Sequence, residues 1–170
     1  MITHLHVRAI NPCSSRGFLS VGANQFPCRL GKSGRRNMKR EGDGASPVGS
    51  FKLEQLYFRP DKMHHPRTLL KIKSLKRSNG WCDSTQSFAY NRLVKLPFEL
   101  AHEKLWRADS AYDIVITTSH NQRPRVRGAG SAIFLHLTNH ANGTEGCVAL
   151  SMRDLRIVLS RCSRNTRLVI

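Results

Sequence analysis

The chain has few acidic residues: 11 Asp and Glu stand against 28 Lys and Arg, for a formal net charge of +17 at pH 7. Such a surplus produces a positive surface field that attracts anionic partners, such as nucleic acid, an anionic lipid surface or an acidic cell-wall polymer. Aromatic residues are also scarce, at 7% of the chain. Because surfaces that bind single-stranded nucleic acid interleave aromatic with basic side chains, nucleic-acid binding is the less favoured alternative.

The sequence also lacks paired cysteines and long apolar runs. Its five cysteines form no C-x-x-C pair, which argues against a zinc ribbon or a thioredoxin-type redox site, and their odd number leaves at least one thiol free. No stretch approaches the roughly 20 apolar residues of a membrane-spanning helix. The first residues, MITHLHVRAINP, lack the apolar core of a signal peptide. We therefore expect no membrane span, and we see no export signal.

Short alternating segments, separated by turn residues, are the main secondary-structure signal. Apolar and polar residues alternate with the period of a half-buried strand, and this holds for residues 3–10, 50–58, 67–75, 112–118, 131–137 and 166–170. Many short strands between turns are typical of a β-sandwich or barrel. The length of 170 residues suits one domain, so we predict a single, mainly β domain over residues 1–170, and a monomer.

One segment breaks the strand rhythm. After Ser151 the apolar residues recur at helical spacing, at Leu155, Val158, Leu159 and Cys162. Ser151 followed by Asp154 is similar to a capping box, a pair that satisfies free amides at a helix start. The pattern predicts a helix just beyond Ser151, so we expect one or two short helices in the β fold.

The segment GTEGCVALS, residues 143–151, places a cysteine between a glycine and a small apolar run. His136 lies near the end of the preceding predicted strand, so a short loop can bring its imidazole to the thiol of Cys147. Cysteine acyl transfer needs such a pair, with the imidazole close enough to form thiolate and imidazolium. Gly146 permits a tight turn, whose amides can hold the oxyanion of a tetrahedral intermediate.

Two other interpretations of the same residues stay open. A cysteine and a histidine eleven positions apart also occur by chance, with the cysteine as an ordinary core residue. His136, His140 and Cys147 could instead supply three zinc ligands, although no fourth ligand stands at a recognisable spacing. We expect no metal and no cofactor.

Two motifs together resemble the L,D-transpeptidase (YkuD-type) catalytic domain. SAIFLH followed by TEGCVAL resembles that family's histidine-ended strand and Ser/Thr-x-Gly-Cys turn, which would include Thr144. Upstream, GDGASPVGSF at residues 42–51 resembles its Gly-Asp-x-x-Thr/Ser-Pro-x-Gly-x-Phe segment. Their order along the chain is that of the family, and the resemblance covers most of the sequence.

The resemblance implies an all-β enzyme that cuts the bond before a terminal D-amino acid in a peptidoglycan stem peptide. Cys147 would be the nucleophile, and His136 the base, oriented by a backbone carbonyl. The implied partners are stem peptides and anionic cell-wall polymer, and the implied location is the cell envelope or periplasm. Hydrolysis on the same scaffold, as an L,D-carboxypeptidase, is the alternative within the family.

The sequence departs from the family pattern at the turn itself. Where many members carry histidine before the Gly-Cys pair and arginine two residues after the cysteine, this chain has Glu145 and Ala149. The loop between His136 and Cys147 is also shorter than usual. The chain therefore resembles a divergent branch, in which we expect substrate contacts from eight residues: Arg59, Trp81, Tyr90, Asn91, His120, Asn121, Thr144 and Glu145.

A prediction about metal separates the cysteine mechanism from the zinc alternative. Zinc bound to His136 and Cys147 would occupy both the base and the nucleophile, so a cysteine enzyme must work without it. We expect elemental analysis to find no stoichiometric zinc in the purified protein, and activity to persist in EDTA. Loss of turnover on chelation, with recovery on adding zinc, would contradict the cysteine mechanism.

Overall fold

A computed structural model describes residues 1–138 and 143–170 of the chain. In this part there are fourteen strands and one helix. The strands are β1 Ile2–Ala9, β2 Arg16–Val21, β3 Asn24–Arg29, β4 Arg35–Arg36, β5 Ser46–Pro47, β6 Ser50–Phe58, β7 Lys71–Ser74, β8 Asn79–Cys82, β9 Arg92–Lys95, β10 His102–Lys104, β11 Ile114–Thr118, β12 Phe134–Leu137, β13 Val148–Leu150 and β14 Cys162–Val169, and the helix is α1 Met152–Arg161. The predicted mainly β fold is confirmed.

The main sheet closes into a barrel. Its strands follow the order β11-β12-β13-β3-β2-β1-β14-β6, and β6 pairs in turn with β11, so that eight strands form a ring. β7 adds to the free part of β6 in parallel. Closure gives every ring strand two neighbours, which removes the exposed sheet edges that an open sheet would present.

The barrel interior is a continuous apolar core. Inward-facing side chains such as Leu5, Leu19, Leu56 and Leu135 are fully buried, because alternate residues of each strand point to one face. Helix α1 adds Leu155, Val158 and Leu159 to the same core. The Ser151 hydroxyl accepts a 3.1 Å hydrogen bond from the Asp154 amide, which confirms the predicted helix start.

A second apolar cluster covers the outside of the barrel at β6, β11 and β12. The covering segment, residues 75–112, contributes Leu75, Trp81, Leu105 and Tyr112 to this cluster. It contains the separate three-stranded sheet β10-β8-β9. Outward-facing residues of this part of the barrel are thereby shielded from water.

Several boundaries differ from the sequence-based prediction. β12 begins at Phe134 rather than at residue 131, because Ala132 has a positive φ of 51° that breaks the extended backbone. Cys162 is not part of the helix; it caps α1 and begins β14, with its side chain fully buried. Cys13, expected to be structural, is exposed.

The strand pattern missed the hairpin β2–β3 and the small sheet of the covering segment. β3 contains Pro27, a residue that usually argues against a strand, and the strands β8 to β10 are only three or four residues long. Within residues 1–138 and 143–170, no helix has the length and apolar character needed to cross a membrane.

Candidate active site

Cys147 and His136 lie on neighbouring parallel strands and face the same side. Leu135 pairs with Val148 in the parallel register of β12 and β13, and both point into the barrel core. Because side chains alternate along a strand, the next residue of β12, His136, and the residue before β13, Cys147, point outward. They face the covering segment.

The sulfur of Cys147 is held by two backbone groups. The Phe134 amide donates to Sγ at 3.3 Å, and the thiol donates to the Ala132 carbonyl at 3.0 Å. The residue is 7% exposed. Burial raises the pKa of the Cys147 thiol to about 12, with a smaller contribution from the charge of Glu103. The resting sulfur is therefore a protonated thiol.

His136 is oriented by a backbone carbonyl. Its Nδ1 lies 2.8 Å from the Leu137 carbonyl oxygen; since a carbonyl only accepts, Nδ1 carries the proton and Nε2 is the basic nitrogen. The ring packs edge-to-face on Tyr112, with centroids 5.0 Å apart. Burial lowers the pKa of the imidazole to about 4.

The thiolate–imidazolium pair expected from the sequence is not the form that this structure holds. Among the described residues, no hydrogen bond joins His136 to Cys147, and the sulfur is bonded to Ala132 and Phe134 instead. The covering segment shields both groups, and desolvation disfavours the charged form of each. Burial thus favours a neutral thiol on Cys147 and a neutral imidazole on His136 in this structure.

The turn before Cys147 requires glycine. Gly146 has φ of +143°, and a Cβ there would lie 2.9 Å from the Ala45 carbonyl oxygen. The Thr144 hydroxyl accepts from the Gly146 amide at 3.1 Å and donates to the Cys147 carbonyl at 2.7 Å. The Thr144 side chain thus stabilises the turn through two hydrogen bonds to its own backbone.

Ser46 joins the upstream motif to this turn. Its side chain is fully buried, and its hydroxyl donates to the Gly146 carbonyl at 2.7 Å while it accepts from the Gly31 amide at 2.9 Å. The Gly-Asp-x-x-Ser segment and the Gly-Cys turn, a hundred residues apart, are therefore in direct contact. Ser46 fixes the peptide group that joins Gly146 to Cys147.

Asp43 organises the upstream motif around a buried lysine. Its carboxylate accepts from the amides of Arg40 and Ala45, each at 2.9 Å, and forms an ion pair with Lys39. The Lys39 side chain is 5% exposed and borders the cavity at Cys147. Lys39 belongs to the basic run 32–40, yet it is not a solvated surface lysine, because Asp43 compensates its charge inside the protein.

A cavity of about 690 Å³ opens at the two candidate catalytic side chains. Cys147 and His136 lie on its wall, together with Thr144 and Glu145. Glu145 is mostly exposed and pairs with Lys32 at 2.7 Å. The structure thus brings together four of the predicted site residues, and Gly146 forms the turn between them.

Six predicted substrate contacts lie outside the part of the cavity wall that the described residues form. Arg59 is buried, with a bidentate ion pair to Asp61 at 2.7 and 2.8 Å and its guanidinium 3.8 Å from the centre of the Trp106 ring. Tyr90 is buried and donates its hydroxyl to Glu41. The role of these residues as substrate contacts stays a prediction.

Asn91 links Trp81, His120 and Asn121 to the loop that holds the Cys147 sulfur. Its Oδ1 accepts from the Trp81 indole at 2.9 Å and from the Ala132 amide at 3.1 Å, and its Nδ2 donates to the carbonyls of His120 and Asn121. Since the Ala132 carbonyl accepts from the Cys147 thiol, Asn91 positions the loop that holds the sulfur.

His120 and Asn121 stabilise that same loop. The ring of His120 bonds the Ala129 carbonyl at 3.2 Å, and Asn121 donates to the carbonyls of Val126 and Gly130. Burial lowers the pKa of His120. Their side chains make loop contacts at the base of the site.

No site role was predicted for six residues that line the cavity: Glu41, Asp83, Glu103, Arg107, Tyr112 and Ser131. Most are brought to the site by the covering segment, whose short strands carried no clear pattern. Three of these six residues are carboxylates. Because acidic residues are scarce in this chain, each of them could have been selected as a candidate. His140, a ligand in the zinc alternative, lies outside the described residues.

The described part of the chain is thus a closed β-barrel with a glycine–cysteine turn beside a carbonyl-oriented histidine. Comparison with protein families finds that the L,D-transpeptidase catalytic domain model, YkuD, matches residues 20–170. The chain therefore belongs to the YkuD family of L,D-transpeptidase catalytic domains, which act on peptidoglycan peptides. Neither a curated protein nor a solved structure gives a significant match.

Replacing Ser46 tests whether the upstream motif holds the catalytic turn. Ser46→Ala leaves the buried Gly31 amide and Gly146 carbonyl without their partner, at a cost of about 1–3 kcal/mol in the free energy of unfolding. We expect a lower melting temperature and slower modification of Cys147. Ser160→Ala is the matched control, because the exposed Ser160 hydroxyl also donates to a carbonyl, that of Ile157. Equal effects of the two changes would contradict the assignment.

The pKa shifts predict an unusual pH dependence. His136, with its pKa lowered to about 4, stays neutral down to that pH, so the acid limb of acylation should fall near pH 4 rather than near pH 6.5. In a Cys13→Ser background, iodoacetamide should label Cys147 with a rate that keeps rising up to about pH 12. A rate plateau near neutral pH would instead reveal a preformed thiolate.

Proposed function

We propose that this chain is a cysteine-dependent L,D-transpeptidase in which Cys147 is the nucleophile and His136 the general base. The observation that supports it most is the shared outward face of the two side chains, on adjacent parallel strands and at one cavity. The substrate is a peptidoglycan stem peptide with a terminal D-amino acid. The expected site of action is the cell envelope.

In the first half-reaction, Cys147 Sγ attacks the carbonyl carbon of the peptide bond that precedes the terminal D-amino acid. The thiol proton passes to His136 Nε2, and the carbonyl oxygen becomes an oxyanion. A backbone amide of the turn other than that of Gly146, which donates to the Thr144 hydroxyl, would stabilise that charge. Collapse of the intermediate breaks the carbon–nitrogen bond, and the leaving amine takes the proton from His136, which leaves a thioester on Cys147.

In the second half-reaction, an amine of another stem attacks the thioester carbon. His136 accepts a proton from this amine, and the thiolate leaves and is reprotonated by the imidazolium. The products are a new amide cross-link and the free enzyme, so one peptide bond is exchanged for another. The burial of the site favours transfer to an amine over hydrolysis, because it limits the access of water to the thioester.

The neutral resting pair is compatible with this chemistry. A thiol with a raised pKa is a poor nucleophile until its proton is removed, and a histidine with a lowered pKa is a weak base. A substrate carbonyl in the cavity makes the thiol a better nucleophile and the imidazole a better base. The developing oxyanion accepts hydrogen bonds from the turn, while the imidazolium forms beside Tyr112. In this mechanism the charges on the thiol sulfur and the imidazole are stabilised in the transition state, and no thiolate–imidazolium pair is needed beforehand.

The surplus of positive charge supports the same substrate. Stem peptides and their attached polymers carry carboxylates and phosphates, which a +17 surface attracts. The charge alone would equally favour DNA. Cys147 separates these functions, since a nucleic-acid-binding domain would retain its salt-dependent binding in Cys147→Ala.

Intact-mass measurement with a carbapenem tests the nucleophile. The strained acyl bond of the drug resembles the scissile bond, and attack by one thiol should add one drug mass to the wild type. Cys147→Ala should gain no mass although Cys13, Cys28, Cys82 and Cys162 remain. His136→Ala should be acylated at least about a hundredfold more slowly, the typical contribution of a positioned general base.

Products from a purified disaccharide-tetrapeptide define the reaction further. A cross-linked dimer together with free D-amino acid supports transpeptidation, whereas a shortened stem without a dimer identifies water as the acceptor. Labelling of Cys147→Ala at the wild-type rate would overturn the assignment of the nucleophile.

A further inference from the structure

Carboxylates are concentrated in the cavity of this basic protein. The whole chain has 11 acidic residues, and four of them line this one cavity: Glu41, Asp83, Glu103 and Glu145. Glu145 lies at the exposed rim, where Lys32 pairs with it. The other three form what we call the acid face. Their placement opposes the net charge of the chain.

The cations at the cavity are largely neutralised by carboxylates that do not line it. Lys39 is paired with the buried Asp43, and Arg107 makes a bidentate pair with Asp109, at 2.9 Å from Nε and 2.5 Å from Nη2. Lys104 also borders the cavity, but it is exposed to solvent. Positive charge inside the cavity is thus already compensated.

Neutral groups, by contrast, hold two carboxylates of the acid face. Tyr90 donates its hydroxyl to Glu41, and Tyr112 donates its hydroxyl to Glu103 at 2.5 Å. A tyrosine hydroxyl orients a carboxylate without cancelling its charge. The approach of Arg107 to Glu103, at 3.7 Å, is longer than its contacts with its main partner. Glu41 and Glu103 therefore have a neutral hydroxyl, rather than a cation, as their shortest side-chain contact.

Two polar atoms at the acid face are buried and without a partner among the described residues: Oδ1 of Asp83 and Oγ of Ser131. Ser131 is only 7% exposed and lines the cavity. A buried hydroxyl without a hydrogen bond costs free energy unless a ligand completes it. Burial, and then the charge of Glu41, raise the pKa of Asp83, which is the shift that a bound cation would reverse.

We infer that the acid face and Ser131 bind a protonated side-chain amine of the donor stem peptide. This inference rests on the proposed function for the identity of the ligand. An ammonium group offers three N–H donors, which can be shared among two carboxylates and a hydroxyl. Within the described residues, no group of three His, Cys, Asp or Glu side chains could hold a metal ion, so an organic cation fits better.

The donor amine suits the acid face better than the acceptor amine. The acceptor must lose its proton to attack the thioester, and nearby carboxylates would favour its protonated form. The donor's side-chain amine does not react, so its charge can serve recognition alone. Glu103 lines the same cavity as Cys147, so the acid face lies near the proposed nucleophile.

Binding measured without catalysis tests this subsite. In a Cys147→Ala background, calorimetry would compare a tetrapeptide that has a free side-chain amine with the same peptide acetylated at that amine, which removes the charge. We expect the free amine to bind about tenfold more tightly, the usual size of one charge-assisted hydrogen bond. Adding Asp83→Asn or, as a second variant, Glu41→Gln should weaken only the free-amine peptide.

The control is Glu99→Gln, which removes an exposed carboxylate that does not line the cavity and should affect neither peptide. Equal losses for both peptides in Asp83→Asn and Glu41→Gln, or no measurable binding of the free-amine peptide, would overturn the subsite. Carbapenem labelling of Cys147 tests the chemistry separately. A carbapenem adduct without amine-dependent binding would support the catalytic proposal and contradict the subsite. Amine-dependent binding without an adduct would support the subsite and contradict the catalytic proposal.

Discussion

The hydrogen bonds of one buried hydroxyl hold the catalytic turn to the barrel. Ser46 bonds the Gly146 carbonyl and the Gly31 amide at once, so two distant loops share one fixed peptide. Gly146 can adopt its backbone conformation because it has no Cβ to meet the Ala45 carbonyl. Cys147 follows directly, and its position is therefore set by the barrel rather than by a free loop. For the proposed nucleophile, such positioning lowers the entropy cost of reaching a near-attack geometry.

Burial has two effects at this site. The covering segment shields the outer face of β11 and β12 from water and packs Tyr112 against His136. The same burial moves the pKa of Cys147 upward and that of His136 downward. Desolvation of both groups thus disfavours a stable thiolate–imidazolium pair. In the proposed mechanism, charge is therefore stabilised only when the substrate is present.

Charge is arranged differently on the surface and in the cavity. The surface surplus of Lys and Arg acts at long range and attracts polyanions, whereas inside the cavity the lysine and the arginine are paired with Asp43 and Asp109. The acid face then gives the cavity a local character opposite to that of the whole molecule. A zwitterionic stem peptide, which has both carboxylates and an amine, matches this division.

The sequence by itself determined the family, the mainly β class and the candidate pair Cys147 and His136, because strand alternation and short motifs depend on neighbouring residues. β6 was predicted with its observed bounds, and the helix start at Ser151 was confirmed by its cap. Only the tertiary structure decided which polar residues meet at the cavity. Arg59, Trp81 and Asn91 looked like substrate contacts, yet internal partners use their polar groups. Glu103 had no local signal, because its surroundings come from segments far apart in the chain. Burial and pairing are properties of those long-range contacts, and they determine which side chains remain available to a ligand.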